Sequence, residues 1–436
     1  MAQDSARGTR NGQQSQEKKV KPTAGEVFPD GTMLELVRDS GDPTRPALLR
    51  CHGTQTTIAR EIEHEQAHYV PVEIDSTLFR QLHLPARGMP YGSTPELFDQ
   101  IYNLIMKHSD LSHDAACLVT YFVFATFFCD CLQLAPCLLL QGESSEAAGL
   151  LRILSWVCRH PLLLLDPRIG SEHEDLGLTC LIYFSEPEAK IEKLLAVSHL
   201  SRFGVFRQGS LHEIGGAKAI YVRWPRLRSP VADECLRVSV APARELLNPA
   251  DETRERPVLE ELQAKMLNYR LRNYGKVKSS NFDVFKFTGP TRALARSLGA
   301  CIVDASDLQS HLAALLQNHD EAVIAERAAE FESVLLEALI VLCHERRTSA
   351  HVSQVAEIAN GIMTRRGESV ILSPRETGSK LKVLGFRTTR LDAGGRGLYL
   401  LGKLRRQIHK LAHSYMVPSL QNGMPGCPDC QEILRG

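Results

Sequence analysis

The chain has 436 residues, 51 Lys or Arg against 51 Asp or Glu, and a formal net charge of zero. A length of this order fits two to three domains. Zero net charge excludes a uniformly basic chain, so any nucleic-acid surface has to be local. An apolar content of 43% and a charged content of 23% are those of a soluble globular protein.

Residues Met1 to Thr23 are rich in Gln, Ser, Lys and Gly with almost no large apolar side chain, and they read as a disordered leader. Nothing apolar follows the first charges, so no signal-peptide core is present. The apolar stretch Ala115 to Leu140 is broken by Asp130 and Pro136, and Leu162 to Leu165 is too short to cross a bilayer. Neither predicts a membrane span. Most of the 12 cysteines are scattered through apolar segments, as expected of buried thiols in a reducing cytoplasm.

Residues 24–110 read as a mixed, loop-rich region. A turn-rich connection from Pro85 to Pro95 precedes a helix over about Glu96 to Lys107, and Asp110 or Ser112 caps the next one. His52, His64 and His68 have no compact set of carboxylate or cysteine partners, and no metal is assigned to them.

Residues 111–250 alternate helix and strand as a mostly parallel sheet does. A helix from Ala115 to Cys131 leads into the apolar run Cys137 to Gln141. Further strands are expected over Leu162 to Leu165, Leu178 to Phe184 and Ala217 to Val222, with cover from helices over Ser145 to Cys158 and Glu188 to Ser198. Unalternating apolar runs suit strands buried on both faces.

The first of these strands ends in Gly142-Glu143-Ser144-Ser145-Glu146-Ala147-Ala148-Gly149. A phosphate-binding loop, G-x-x-x-x-G-K-[ST], needs its second glycine for the turn, its lysine for the phosphates and its hydroxyl for magnesium. Those places hold Ala147, Ala148 and Gly149. The later strand ends in Ser185-Glu186, so the metal-binding aspartate is missing too. Gly142 also fits a plain strand end, with Ser144 or Ser145 as a helix cap.

Prolines 225, 230, 242 and 249 link this core to a helical region over 251–347. Its first helix, Val258 to Asn273, runs into Tyr274 to Lys286, where lysines alternate with aromatics. That stretch suits either nucleic-acid contact or a loop anchored on a helix bundle. A helix starts at Pro290-Thr291, another at Asp304, Ser306 or Asp307, and a long one spans Glu321 to Arg346 with an apolar stripe at Phe331, Leu335, Leu339 and Leu342.

Residues 348–418 carry a winged helix-turn-helix pattern. A helix over Val352 to Thr364 and a turn at Arg366-Gly367-Glu368 precede Ser373-Pro374-Arg375-Glu376, which combines cap, proline at the first helical position and capping-box glutamate. The second helix runs to Val383 or Leu384. A strand over Gly385 to Leu391, a glycine-rich turn and the strand Leu398 to Leu401 then form the wing, with Arg396 at its tip. A last helix, Lys403 to Ser414, presents Lys403, Arg405, Arg406, His409 and Lys410. Between His351 and Pro418 there are 12 Lys or Arg against four acids, an excess of eight. The DNA-binding residues expected from this pattern are Arg375, Ser379, Lys380, Lys382, Arg387, Arg390, Arg396, Arg405 and Arg406, chiefly on phosphates.

Residues 419–436 read as a flexible tail. Cys427 and Cys430 have the spacing of half a zinc site or of a redox pair, and His409 or His413 would complete the former if the tail folds back. No metal ligand is assigned.

The element order from Phe122 to Trp224 resembles the RecA-like or AAA-type motor core of bacterial and phage replication helicases and primase-associated ATPases. Phe287-Thr288-Gly289-Pro290-Thr291-Arg292 and Leu294 to Leu298 resemble the helical region after that core in bacterial proteins of this kind. The resemblance covers roughly Leu111 to Ser414 and implies ATP-driven work on DNA. Gly142 matches the first loop glycine and Glu186 the strand-end glutamate, whereas Ala148 and Ser185 depart from the lysine and aspartate. Arg292 or Arg296 stands where a motor's trans-acting arginine is expected, or simply on a helix surface.

The expected fold is therefore α/β: a degenerate P-loop-like parallel-sheet core, a helical region and a C-terminal winged helix. The expected function is a noncatalytic, cytoplasmic, DNA-binding or DNA-processing accessory protein with no cofactor, whose core serves as scaffold or as a platform for a replication partner. The alternatives are an active nucleotide-dependent helicase or translocase with an atypical or partner-completed site, and a winged-helix scaffold for protein contacts.

Overall fold

The computed structural model describes residues 19–165, 176–183, 204–207, 210–213, 216–222, 232–241, 249–391, 394–415, 417 and 426–435. The expected strand-end pair Ser185-Glu186, the helix over 188–198 and most of the expected leader lie outside these residues. The chain divides into two compact units, one of residues 1–282 and 296–310, the other of residues 283–295 and 311–436. No helix among the described residues is long and apolar enough to cross a membrane.

The first unit opens with two small sheets. Strands β1 (Lys19–Thr23), β6 (Ile62–His64) and β7 (Ala67–Pro71) form one, in the order β1-β7-β6. Strands β2 (Gly25–Val27), β3 (Met33–Arg38), β4 (Pro46–His52) and β5 (Gln55–Ala59) form an antiparallel sheet in chain order. The region expected to be loop-rich is thus largely strand. Three helices follow: α1 (Ser76–Gln81), α2 (Thr94–Lys107) and α3 (His113–Thr126). Ser93 and Glu96 close a capping box on α2, with proline in its first turn. Helix α3 is apolar all round, and its residues Tyr121 to Ala125 are fully buried, the pattern of a helix packed on every side.

The core of this unit is a five-stranded parallel sheet. Its strands are β8 (Cys137–Gly142), β9 (Pro161–Leu164), β10 (Thr179–Tyr183), β13 (Lys218–Val222) and β14 (Leu236–Val240), in the order β14-β8-β13-β10-β9. Strands β8 and β13 are buried along nearly their whole length, as strands covered on both faces are. Helix α4 (Ser144–Val157) follows β8, and strands β11 (Gly204–Arg207) and β12 (Ser210–Glu213), between β10 and β13 in the chain, form a separate antiparallel pair. The chain leaves β8 toward one edge of the sheet and β13 toward the other, so strand order reverses between them. In open parallel sheets this is where ligands bind, at the carboxyl ends of the strands. One apolar cluster runs from Leu34, Leu48 and Tyr69 of the small sheets to Leu139, Ile182 and Ile220 of the large one.

Helix α5 (Pro249–Lys278) ties this unit together through charge. Its Arg270 is 1% exposed and binds Glu35 of β3 at 2.5 Å, Asp130 at 2.7 Å and the Phe127 carbonyl at 2.6 Å. Arg159 reaches the other Glu35 oxygen at 3.0 Å. Burial pushes the Glu35 carboxyl up, but the Arg159 and Arg270 guanidiniums outweigh it and hold it below its usual range.

The second unit contains helix α8 (Phe331–His344), β15 (Ser349–His351), α9 (Val352–Arg365), α10 (Pro374–Val383), β16 (Thr389–Arg390), β17 (Arg396–Tyr399), α11 (Gly402–Ser414) and α12 (Pro428–Arg435). Two further helices, α6 (Gly289–Ala300) and α7 (Ser306–Ala329), each have residues in both units. The expected long helix over Glu321 to Arg346 is instead split at Glu330, which is extended and caps α8. The three short strands pair antiparallel in the order β15-β17-β16. The core of this unit runs through Leu335, Leu339, Val355, Ala359, Leu381 and Phe386.

Candidate functional site

The first candidate place is the carboxyl end of β8. Strand β8 ends at Gly142 and α4 begins at Ser144, so Glu143 alone connects them. A phosphate-cradling loop needs a run of free backbone N–H groups at this point. Here the Glu143 N–H donates to the Val240 carbonyl at 3.2 Å, and the Tyr221 hydroxyl donates to the Gly142 carbonyl at 2.9 Å.

Gly142 has φ +123, and a Cβ there would lie 2.2 Å from the Val240 carbonyl oxygen. Glycine is therefore required by the neighbouring strand, whether or not a phosphate ever binds. Helix α4 lacks a side-chain cap hydrogen bond and carries Glu146 in its first turn. Glu146 is 2% exposed and accepts the Asp110 N–H at 3.2 Å, while burial raises its pKa. Ala147 is fully buried and Ala148 faces solvent. Residues 142–149, which form the turn and the first turns of the helix, contain no lysine or arginine.

The second candidate place is the basic surface of the second unit. Ser373 caps α10: its hydroxyl accepts the Glu376 N–H at 3.3 Å while Glu376 accepts the Ser373 N–H at 2.9 Å. The cap fixes the phase of the helix. Thr377 and Leu381 then fall on its buried face, and Arg375, Ser379 and Lys382, spaced i, i+4 and i+7, share the opposite, exposed face.

Arg387 is exposed just before the hairpin. Arg390 on β16 and Arg396 on β17 are direct cross-strand partners, and both are exposed. Arg396 thus sits at the foot of the turn, not at its tip. The Leu391 N–H donates to the Gly395 carbonyl at 3.1 Å, and positive φ at Gly394 and Gly395 lets the chain reverse. Like charges placed opposite each other on a sheet are destabilising, so Arg390 and Arg396 together ask for a counter-anion.

Two of the nine residues expected to bind DNA turn elsewhere. Lys380 is 3.2 Å from Glu332 and 4.8 Å from the centre of the Phe331 ring, because its place on α10 faces α8. Arg405 holds Asp429 at 2.9 Å. His409, expected on an exposed face, is fully buried. In exchange, Lys403, Arg406 and Lys410 share one exposed face of α11 at i, i+3 and i+7.

Comparison with known proteins adds little. No family model and no curated protein matches the chain. Among solved structures, the apo A form of the NrS-1 C-terminal region aligns at 10% identity and a TM-score of 0.36, over 84% of this chain and 96% of that one. The Drosophila ORC bound to DNA aligns at 12% identity and a TM-score of 0.18, over 72% of this chain and 91% of that one. Likenesses this weak support no argument about fold or function.

The remaining sequence candidates settle into structural roles. Arg292 is held by Asp283 at 2.6 and 2.8 Å and lies 4.5 Å from the Phe285 ring centre. Tyr274 packs beneath Arg270 at 4.9 Å, and Lys276 pairs with Asp304 at 2.5 Å, so these members of the lysine and aromatic stretch serve as anchors. His344, His409, Cys427 and Cys430 bring one ligating atom each within 4.8 Å of the others, so of the two histidines that sequence offered to Cys427 and Cys430 the structure brings His409, and it adds His344. The Cys-x-x-Cys spacing and the nearby His409 were legible in sequence. His344, 86 positions before Cys430, gave no local signal.

Proposed function

We propose that the second unit is a winged helix that binds DNA through its backbone phosphates, in a protein whose parallel-sheet core is a noncatalytic scaffold or partner platform. In this assignment α8, β15, α9 and α10 form the helix-turn-helix with its first strand, α10 is the helix that enters the groove, and the β16–β17 hairpin is the wing. The observation that carries it is the exposed row of Arg375, Ser379 and Lys382 together with the opposed Arg390 and Arg396. Exposed cations of this kind suit an anionic surface such as a phosphate backbone. The core's role follows from the single-residue turn at Glu143, which has neither the loop nor the cation that a triphosphate requires.

Binding to single- and double-stranded DNA, titrated with salt and run with and without ATP, tests both parts. Salt-dependent affinity that falls when Arg375, Arg390 and Arg396 are changed to alanine, and that ignores ATP, is the expected result. Unchanged affinity in that triple variant would sink the DNA assignment. A second assignment, protein docking, is favoured by Ile371 and Val383, 78% and 79% exposed beside the same helix. Its mark would be a partner whose binding depends on those two side chains and not on the arginines.

A further inference from the structure

The C-terminal helix reaches the rest of the second unit through an unusual group of side chains. His344 ends α8, His409 lies midway along α11, and Cys427 and Cys430 flank the start of α12. The Cys427 sulfur is 3.4 Å from His409 Nε2, and the Cys430 sulfur is 3.2 Å from His344 Nε2. A tetrahedral zinc ion with Zn–S of about 2.3 Å and Zn–N of about 2.0–2.1 Å has sulfur-to-nitrogen edges of roughly 3.5 Å. Two of the sulfur-to-nitrogen edges are near that size, and all four donor atoms lie within 4.8 Å of one another.

The surroundings are also those of a metal site. His409 is fully buried and Cys427 and Cys430 are 5% and 2% exposed. His409 Nδ1–H donates to the Arg405 carbonyl at 2.9 Å, which fixes the tautomer and turns the Nε2 lone pair toward the sulfurs. Backbone-held imidazoles of this kind are the usual support of metal-ligating histidines. The Arg405 side chain holds Asp429 at 2.9 Å, fastening the start of α12 to α11.

We propose that His344, His409, Cys427 and Cys430 bind one structural zinc ion that fastens the C-terminal helix to the second unit. Two sulfur and two imidazole donors in a tetrahedral frame select zinc among the common divalent ions. All four positions are filled by the protein, so the site has no open place for water or substrate and is not catalytic. On binding, each cysteine thiol gives up its proton, and two thiolates neutralise the ion. The ion then joins the four side chains by four bonds to one centre.

The test uses the full chain purified in reducing buffer without chelator. Expected are a single zinc ion per chain by elemental analysis and, after replacement by cobalt, the visible absorption of a tetrahedral thiolate-bound ion. Cys427→Ser with Cys430→Ser should abolish both, whereas Cys343→Ala, beside the site but outside the four donors, should keep them. Removing zinc from the wild-type chain with a chelator should lower its melting temperature, and returning zinc should restore it, which keeps the test valid if the double variant folds poorly. A folded wild-type chain without stoichiometric metal would overturn the proposal. So would zinc retained in the double variant, or a Cys427–Cys430 disulfide seen by mass in the native chain.

Discussion

Two sets of arginines, one in each unit, face opposite ways. In the first, Arg159 and Arg270 are turned inward onto Glu35 and Asp130, and the charges hold a β-sheet and a long helix in place. In the second, Arg375, Arg387, Arg390, Arg396 and Arg406 are turned outward with little internal use. The same contrast holds at two helix starts. Helix α4 has Glu143 and Glu146 at its start and a turn whose N–H is already spent, whereas the first turn of α10 adds Arg375 beside the capping-box Glu376, a cation at the end of the helix where a cation is unfavourable. Charge that satisfies the fold marks structure, and charge the fold does not satisfy marks a surface waiting for a partner.

The largest expected effect breaks the inward set. Arg270→Leu leaves Glu35 and Asp130 short of a partner, and removing one member of a buried ion pair costs about 3–5 kcal/mol. Chemical denaturation should show that loss, and a change under about 1 kcal/mol would mean that Arg159 alone sustains Glu35. Acid should act on the same network. Packing pushes the Asp130 carboxyl up, and Arg270 outweighs it and holds the pKa at about 2; Glu35 is also held low. Carboxyls whose folded pKa is depressed contribute stability that is complete above the ordinary carboxylate range and is lost as pH falls through the folded value. The wild-type chain should therefore weaken progressively from about pH 4 toward pH 2, and Asp130→Asn should flatten that slope.

The next effect tests the outward set. Each phosphate contact contributes about 0.9 to the slope of log affinity against log salt. Replacing Arg375, Arg390 and Arg396 together by alanine should make the slope shallower by about 2.7 and weaken binding roughly 100-fold near 0.15 M salt. Stability should stay within about 0.5 kcal/mol, as for exposed positions. Lys380→Ala, whose ammonium is already held by Glu332, should change affinity by no more than about twofold if its charge is neutralised within the fold.

What the sequence revealed and what it hid follow from distance along the chain. Ser373-Pro374-Arg375-Glu376 is a local signal, and α10 begins at Pro374. The unalternating run at Cys137 to Leu140 is likewise local, and it forms a central strand. The small N-terminal sheets escaped notice because β2 and β6 span three residues each and β5 has no buried residue to set a period. The break at Glu330 lies between Ala328-Ala329 and Phe331-Glu332, where nothing in the residues opposes a continuous helix. Lys380 and Glu332 are 48 positions apart, and only the packing of α10 on α8 joins them. Long-range pairs decided which basic residues were free to act and which four side chains met around Cys427.

The smallest expected effect concerns the turn at Gly142. Ala148 stands where the phosphate-binding lysine of a nucleotide loop is required, and it is exposed, so Ala148→Lys should fold normally and supply the missing ammonium. If the cation were the only loss, this variant would gain magnesium-dependent ATP binding. The geometry predicts no gain: Glu143 is the whole connection, its N–H is held by Val240, and the Val240 carbonyl fills the space beside Gly142. A charge on the first turns of α4 cannot replace a loop of free N–H groups that encircles phosphate. Binding of ATP by Ala148→Lys but not by the wild type, measured by calorimetry at high magnesium, would show instead that the turn opens to receive a nucleotide and that only the side-chain chemistry has been lost.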